Sequence, residues 1–126
     1  MKKVLICDDE PHILESVGYV VRKLGHACLT ATNGEEALRR AREDQPDLLV
    51  LDVRMPKLDG YSVCEQIKSD IATRGIYIIM LTAFGQKQDE RIAGSVGADE
   101  FMTKPFSPRC LKARLSELLG DTEDKQ

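Results

Sequence analysis

The sequence predicts an α/β domain, a doubly wound five-stranded parallel sheet with strand order 2-1-3-4-5. Three observations lead there. Short apolar runs recur along the chain, as at Val4-Leu5-Ile6-Cys7 and Leu48-Leu49-Val50-Leu51, and read as strands buried on both faces. Stretches with helical periodicity separate these runs, which signals strand–helix–strand units. Glycine, proline and Asx residues stand at the joins, where caps and turns need them. Right-handed crossovers then put helices on both faces of the sheet. For five strands the common order opens a ligand crevice beyond the carboxyl ends of strands 1 and 3.

The first strand, residues 3 to 7, leads into a helix from Pro11 to Leu24. Pro11 suits a first helical turn and Gly25 the C-terminal cap, while Ile13, Val17, Val20, Val21 and Leu24 form the apolar stripe. Residues 27 to 31 read as the second strand. Asn33 through Glu36 resembles a capping box, opening a helix that turns Ala37, Leu38 and Ala41 inward. Pro46 breaks the chain before the third strand, which stops at Asp52. Asp59-Gly60 opens a helix carrying Val63 and Ile67, and a loop through Thr73-Arg74-Gly75 precedes the most hydrophobic strand, 76 to 81. A helix from Gln86 to Val96 ends at Gly97, and a fifth strand covers 99 to 102. Ser107-Pro108 starts the last helix, with Leu111, Leu115 and Leu118, and Gly120 ends it. The expected domain is 1–120. Residues 121–126 are a polar tail or the start of a linker, too poor in apolar content to fold alone.

The bulk numbers exclude several classes. A formal charge of −3 gives no basic face for phosphate backbones, so no direct nucleic-acid binding by this chain is expected. The apolar run after Met1-Lys2-Lys3 is too short for a signal peptide, and no run reaches membrane-spanning length. Cys7, Cys28, Cys64 and Cys110 lack paired metal-ligand spacing and read as small buried thiols. The expectation is a cytoplasmic chain without a membrane contact.

The strand ends carry the chemistry. The first apolar run stops at Asp8-Asp9, the third at Asp52, the fourth at Thr82 and the fifth at Lys104. The predicted topology gathers these on one sheet edge, with Asp8-Asp9 and Asp52 on the strands flanking the crevice. Two carboxylates about 4 Å apart repel by about 4 kcal/mol at an effective dielectric near 20. Either one is protonated or a cation enters, and carboxylate ligation at a water-facing edge suits Mg²⁺ (or Mn²⁺). Lys104 can pair with a carboxylate when the site is empty and with a phosphoryl oxygen when it is full. Thr82 can donate to the same group. These parts describe phosphoryl transfer to an aspartate, with Asp52 as the nucleophile and the acidic pair as metal ligands.

The chain resembles a bacterial two-component response-regulator receiver domain over residues 2 to 120. The resemblance rests on Cys7-Asp8-Asp9-Glu10-Pro11, Leu51-Asp52-Val53-Arg54-Met55-Pro56, Asp59-Gly60, Leu81-Thr82-Ala83, Gly97-Ala98-Asp99 and Lys104-Pro105-Phe106, in this order and at these separations. It implies a flavodoxin-like fold and a phosphoryl group accepted by Asp52 from a sensor histidine kinase or phosphotransfer protein. It implies a metal held by Asp9, Asp52 and the backbone carbonyl of Arg54, with Asp8 acting through water, and a cis Lys104–Pro105 bond. Thr82 and Phe101 would form the switch, and the fourth helix, fifth strand and fifth helix the readout face. No turnover of an external substrate is expected, only self-phosphorylation and slow self-dephosphorylation.

Departures from the family pattern carry expectations of their own. Phe101 stands where many relatives have tyrosine, so its inward state sheds no hydroxyl hydration. Phe84 cannot orient a water, and with Arg54 it implies slow hydrolysis of the phosphorylated form. Lys87, Arg91, Asp99, Glu100 and Arg114 partly fit a homodimer through the fourth helix, fifth strand and fifth helix, although Arg109 and Cys110 stand where acids would be expected. Two rivals remain: a binding module that never takes phosphate, and an aspartyl-nucleophile phosphatase. The second lacks an acid two residues after its nucleophile, where Arg54 stands.

Overall fold

A computed structural model describes residues 1–55, 58–83 and 87–120. Its elements alternate without exception: β1 (Lys3–Cys7), α1 (Pro11–Lys23), β2 (Ala27–Ala31), α2 (Gly34–Asp44), β3 (Leu48–Asp52), α3 (Gly60–Ser69), β4 (Tyr77–Ala83), α4 (Lys87–Ser95), β5 (Glu100–Lys104) and α5 (Pro108–Leu119). All four strand pairings are parallel, and the order is β2-β1-β3-β4-β5, as the sequence predicts.

Two apolar layers hold the sheet between its helices. Leu5, Leu49, Leu51, Ile78 and Met80 pack on one face against Ala37, Leu38 and Ala41 of α2 and Val63, Cys64 and Ile67 of α3. Val4, Ile6, Leu48, Val50, Ile79 and Leu81 pack on the other against Val17, Val20, Val21 and Leu24 at α1 and Leu111 and Leu115 of α5. Alternate residues of each strand thus serve opposite layers, which is why these strands read as unbroken apolar runs.

The caps follow the predicted residues with one shift. The Asn33, Asp59 and Ser107 side chains accept from the backbone N–H of Glu36, Ser62 and Cys110. The Glu36 carboxylate, however, reaches back to the N–H of Thr32 rather than of Asn33. Gly25 and Gly97 take positive φ just beyond α1 and α4.

Two strands run further than hydrophobicity alone indicates. β4 includes Thr82 and Ala83, and β5 ends at Lys104, because Thr82 pairs with Thr103 and Ala83 with Lys104 in the ladder. Pairing with a neighbour, not apolarity, decides where a strand stops. The cysteines also divide: Cys7 and Cys64 are buried, Cys28 is half-buried, and Cys110 is exposed, contrary to the buried reading; none is in a disulfide. The polar first turn of α5 leaves Cys110 in solvent.

His26 ties the two ends of the domain together. It is buried at the start of β2, its Nδ1 accepts from the N–H of Lys2 at 3.0 Å, and its Nε2 lies 2.7 Å from the carbonyl oxygen of Gly120. The Lys2 contact leaves the ring proton on Nε2, donated to Gly120. No helix among the described residues is long and apolar enough to cross a membrane.

Candidate functional site

Asp8, at the end of β1, is fully buried, and Asp52, the last residue of β3, is 5% exposed. The sheet places them on adjacent strands because β1 pairs directly with β3, Cys7 lying opposite Leu51. Lys104 closes the group from the far edge of the sheet. Its Nζ stands 2.9 Å from Asp8 Oδ2, 3.0 Å from Glu10 Oε1 and 3.5 Å from Asp52 Oδ1. The Lys104–Pro105 bond that follows is cis.

The loop after β3 is held down by Gly60, whose N–H donates to the carbonyl oxygen of Val53. A Cβ on Gly60 would lie 2.2 Å from the Asp52 carbonyl oxygen, so only glycine allows this approach.

The electrostatics are set by burial. Burial, with the Asp8 charge beside it, pushes Asp52 up to about 6, against the pull of Lys104 and of the Arg54 backbone N–H. Burial works against the Lys104 ammonium too, but the Asp8 and Glu10 carboxylates outweigh it and hold its pKa above the usual lysine value. Glu10 is drawn below the ordinary carboxylate range by its hydrogen bond to Lys104.

Two buried polar atoms of the site have no aligned hydrogen-bond partner, Asp8 Oδ2 and Thr82 Oγ1. The Lys104–Asp8 contact is therefore ionic rather than a directed hydrogen bond. The Asp8 oxygen is met by the ammonium, but the buried Thr82 hydroxyl is costly unless a ligand completes it. The donor set is all oxygen, which suits a hard divalent cation. Ligand atoms of Asp8, Asp9 and Glu10 lie within 4.8 Å of one another. Asp8, Asp9 and Asp52 fit Mg²⁺, whereas Glu10 is turned to Lys104.

The site faces a cavity of about 790 Å³. Asp9, Glu10, Asp52, Arg54 and Lys104 line its polar wall, and Ile13, Phe106 and Pro108 its apolar one. The sequence-predicted residues thus converge, with Asp9 and Arg54 exposed and Thr82 buried in the neighbouring strand. Glu10 was assigned no part in the chemistry by the sequence, and its contact with a lysine ninety-four positions away leaves no local pattern to find.

On β5, Phe101 is 45% exposed, with Met80 as its register partner. Three of the charges expected at a dimer face are engaged within the protomer. Arg114 pairs with Glu100, which also accepts from the Tyr77 hydroxyl, and Asp99 pairs with Lys68. Phe84 and Pro56 lie outside the described residues, as does the tail 121–126.

Known proteins resemble this chain in sequence and fold. The alkaline phosphatase synthesis transcriptional regulatory protein PhoP of Bacillus subtilis (strain 168) is 43% identical over 122 residues, covering 97% of this chain and 50% of that protein. The chain spans about half the length of the curated relatives it matches. Among solved structures, the chemotaxis response regulator CheY4 of Vibrio cholerae superposes with a TM-score of 0.87 at 30% identity, over 94% of this chain and 99% of that one. The receiver domain of a sensor histidine kinase from Pseudomonas aeruginosa PAO1, with a magnesium ion coordinated in its active-site cleft, gives 0.84 at 28% identity, over 94% and 98%. The family model of the response regulator receiver domain matches residues 4–116. On that match and on the shared fold, the chain belongs to the response regulator receiver domain family.

Proposed function

We propose that this domain accepts a phosphoryl group on Asp52 from the phosphohistidine of a sensor histidine kinase or phosphotransfer protein. The observation that carries it is a nearly buried Asp52 carboxylate that opens onto the cavity with the Lys104 ammonium 3.5 Å away. In the transfer, an Asp52 oxygen supplies the electron pair of the new O–P bond. The donor's P–N bond breaks, and its pair stays on the imidazole nitrogen. Lys104, 3.5 Å from Asp52, and Thr82, whose buried hydroxyl lacks a partner, would receive phosphoryl oxygens. Asp9, Asp52 and the Arg54 backbone carbonyl, with Asp8 behind them, would hold Mg²⁺ (or Mn²⁺), which neutralises charge on the transferring group when bound. The magnesium of the Pseudomonas relative supports this assignment.

The readout would be the face of α4, β5 and α5. Thr82, drawn toward the phosphoryl group, vacates space on β4 that Phe101 of β5 fills from its exposed position. Dimerisation through this face would draw on Lys87 and Arg91 among its exposed cations, Glu100 and Arg114 being paired already.

Intact-mass spectrometry after incubation with acetyl phosphate and Mg²⁺ tests the proposal. One phosphoryl adduct, absent from Asp52→Asn and from an EDTA control, is expected, and a decay slower than seconds would agree with Phe84 positioning no water. Labelling of Asp52→Asn equal to that of the unmodified protein would overturn the assignment. Should no adduct form, a failure to bind beryllofluoride would favour the phosphate-independent binding module.

A further inference from the structure

Glu10 is the acid of this edge that phosphoryl transfer leaves without a task. It stands at the N-cap of α1, yet its side chain caps nothing. Oε1 accepts from Lys104 at 3.0 Å, and Oε2 lies 3.4 Å from His12 Nε2. An ammonium has three N–H donors, and Lys104 meets three carboxylates, those of Asp8, Glu10 and Asp52. Among the described contacts of Lys104 the one with Glu10 is a directed hydrogen bond and the other two are ionic, so a phosphoryl oxygen arriving at the ammonium competes with Glu10 for that N–H.

The three differ in what displacement costs. Asp8 is wholly buried and already has one oxygen without a directed partner. Asp52 would carry the phosphoryl group itself. The Glu10 side chain is 46% exposed on the cavity wall and is rehydrated as soon as it lets go. Glu10 is the contact that yields.

We infer that Glu10 is a latch on Lys104, a positioning residue that holds the ammonium while the site is empty and competes with a phosphoryl oxygen for it. The inference presupposes that Asp52 is the phosphoryl acceptor. The latch makes the charged, half-exposed Glu10 a brake on phosphorylation, not a participant in it. It also makes the brake sensitive to ionic strength, because a half-exposed ion pair is screened.

The rate of adduct formation with phosphoramidate, at saturating Mg²⁺, tests this in the unmodified protein, Glu10→Gln and Glu10→Ala. Phosphoramidate loses ammonia with the electron pair of its P–N bond while Asp52 supplies the pair of the O–P bond, so no second protein enters. Both variants should react about two- to fivefold faster, the size of a partly exposed ion pair. Added salt should speed the unmodified protein and not the variants, and Glu10→Gln should change nothing in a Lys104→Ala background. Calorimetric titration with Mg²⁺ alone should give the same affinity for all three. Equal rates would overturn the latch. So would a weakened Mg²⁺ affinity with no faster reaction at saturating metal, which would make Glu10 a metal ligand instead. An unmodified protein that takes no phosphoryl group from phosphoramidate and binds no beryllofluoride would refute the Asp52 assignment, and the latch with it, a result distinct from an adduct that forms at equal rates.

Discussion

Asp8 and Asp52 stand on adjacent strands and share one ammonium, Lys104 lying 2.9 Å from the first and 3.5 Å from the second. One positive charge near two buried negative ones leaves Asp52 the worse served. Burial first, and then the Asp8 charge, raise its carboxyl group to about 6 against the pull of that shared ammonium.

That relationship fixes a pH dependence. A carboxyl raised on folding contributes stability that is fully present below about pH 4 and lost as pH climbs through about 6. At pH 7.5 without divalent metal, ionised Asp52 should cost about 2–3 kcal/mol. Asp52→Asn should therefore be the more stable protein in EDTA at pH 7.5, with the gap closing toward pH 4. Urea melts at the two pH values check this, and a variant less stable at both would contradict it.

Thr82 offers a test in which stability and response separate. Its hydroxyl is buried without a partner, so Thr82→Ala removes an unsatisfied donor and should leave stability within about 1 kcal/mol of the unmodified protein. Beryllofluoride should still bind, but the chemical-shift changes it induces around Phe101 should disappear. Persistence of those shifts would mean that Phe101 is moved by some other element.

Gly60 should tolerate no side chain. Gly60→Ala sets a methyl 2.2 Å from the Asp52 carbonyl oxygen and should cost about 1–3 kcal/mol, as overpacking does. Gly75→Ala, with nothing within 4 Å of the added methyl, is the matched control and should be near neutral. Equal denaturation midpoints for the two variants would show that the loop after β3 yields freely.

Arg114 should behave as a residue already in use. Because it grips Glu100 within the protomer, Arg114→Ala should lower the urea midpoint of the dilute, unphosphorylated protein. A midpoint equal to that of the unmodified protein would free Arg114 for a partner across a symmetric interface. Sedimentation after beryllofluoride treatment then reports whether Lys87 and Arg91 support a dimer without it.

The strand order and the meeting of Asp8, Asp52 and Lys104 were legible in the sequence because each residue directly follows or ends a strand and parallel topology does the rest. What escaped the sequence depends on contacts with no local period. Thr82 belongs to β4 because Thr103 lies beside it, not because of its own polarity. Glu36 accepts from the N–H of Thr32, one residue before the expected partner, while the Asn33 side chain still accepts from the Glu36 N–H. The pairings of Glu100 with Arg114 and of Lys68 with Asp99 join residues on separate elements, so charges that looked available for an interface are spent at home.

His26 gives the domain a front and a back. The imidazole moors Gly120 to the N-terminal edge of the sheet, whereas Asp52 lies at the other end of a strand roughly 15 Å long. Polypeptide continuing past Gly120 would depart from a fixed berth behind the reactive edge. A chemical event at Asp52 would then have little leverage over that departure point, and would have to inform such a segment by changing the flank it rests against.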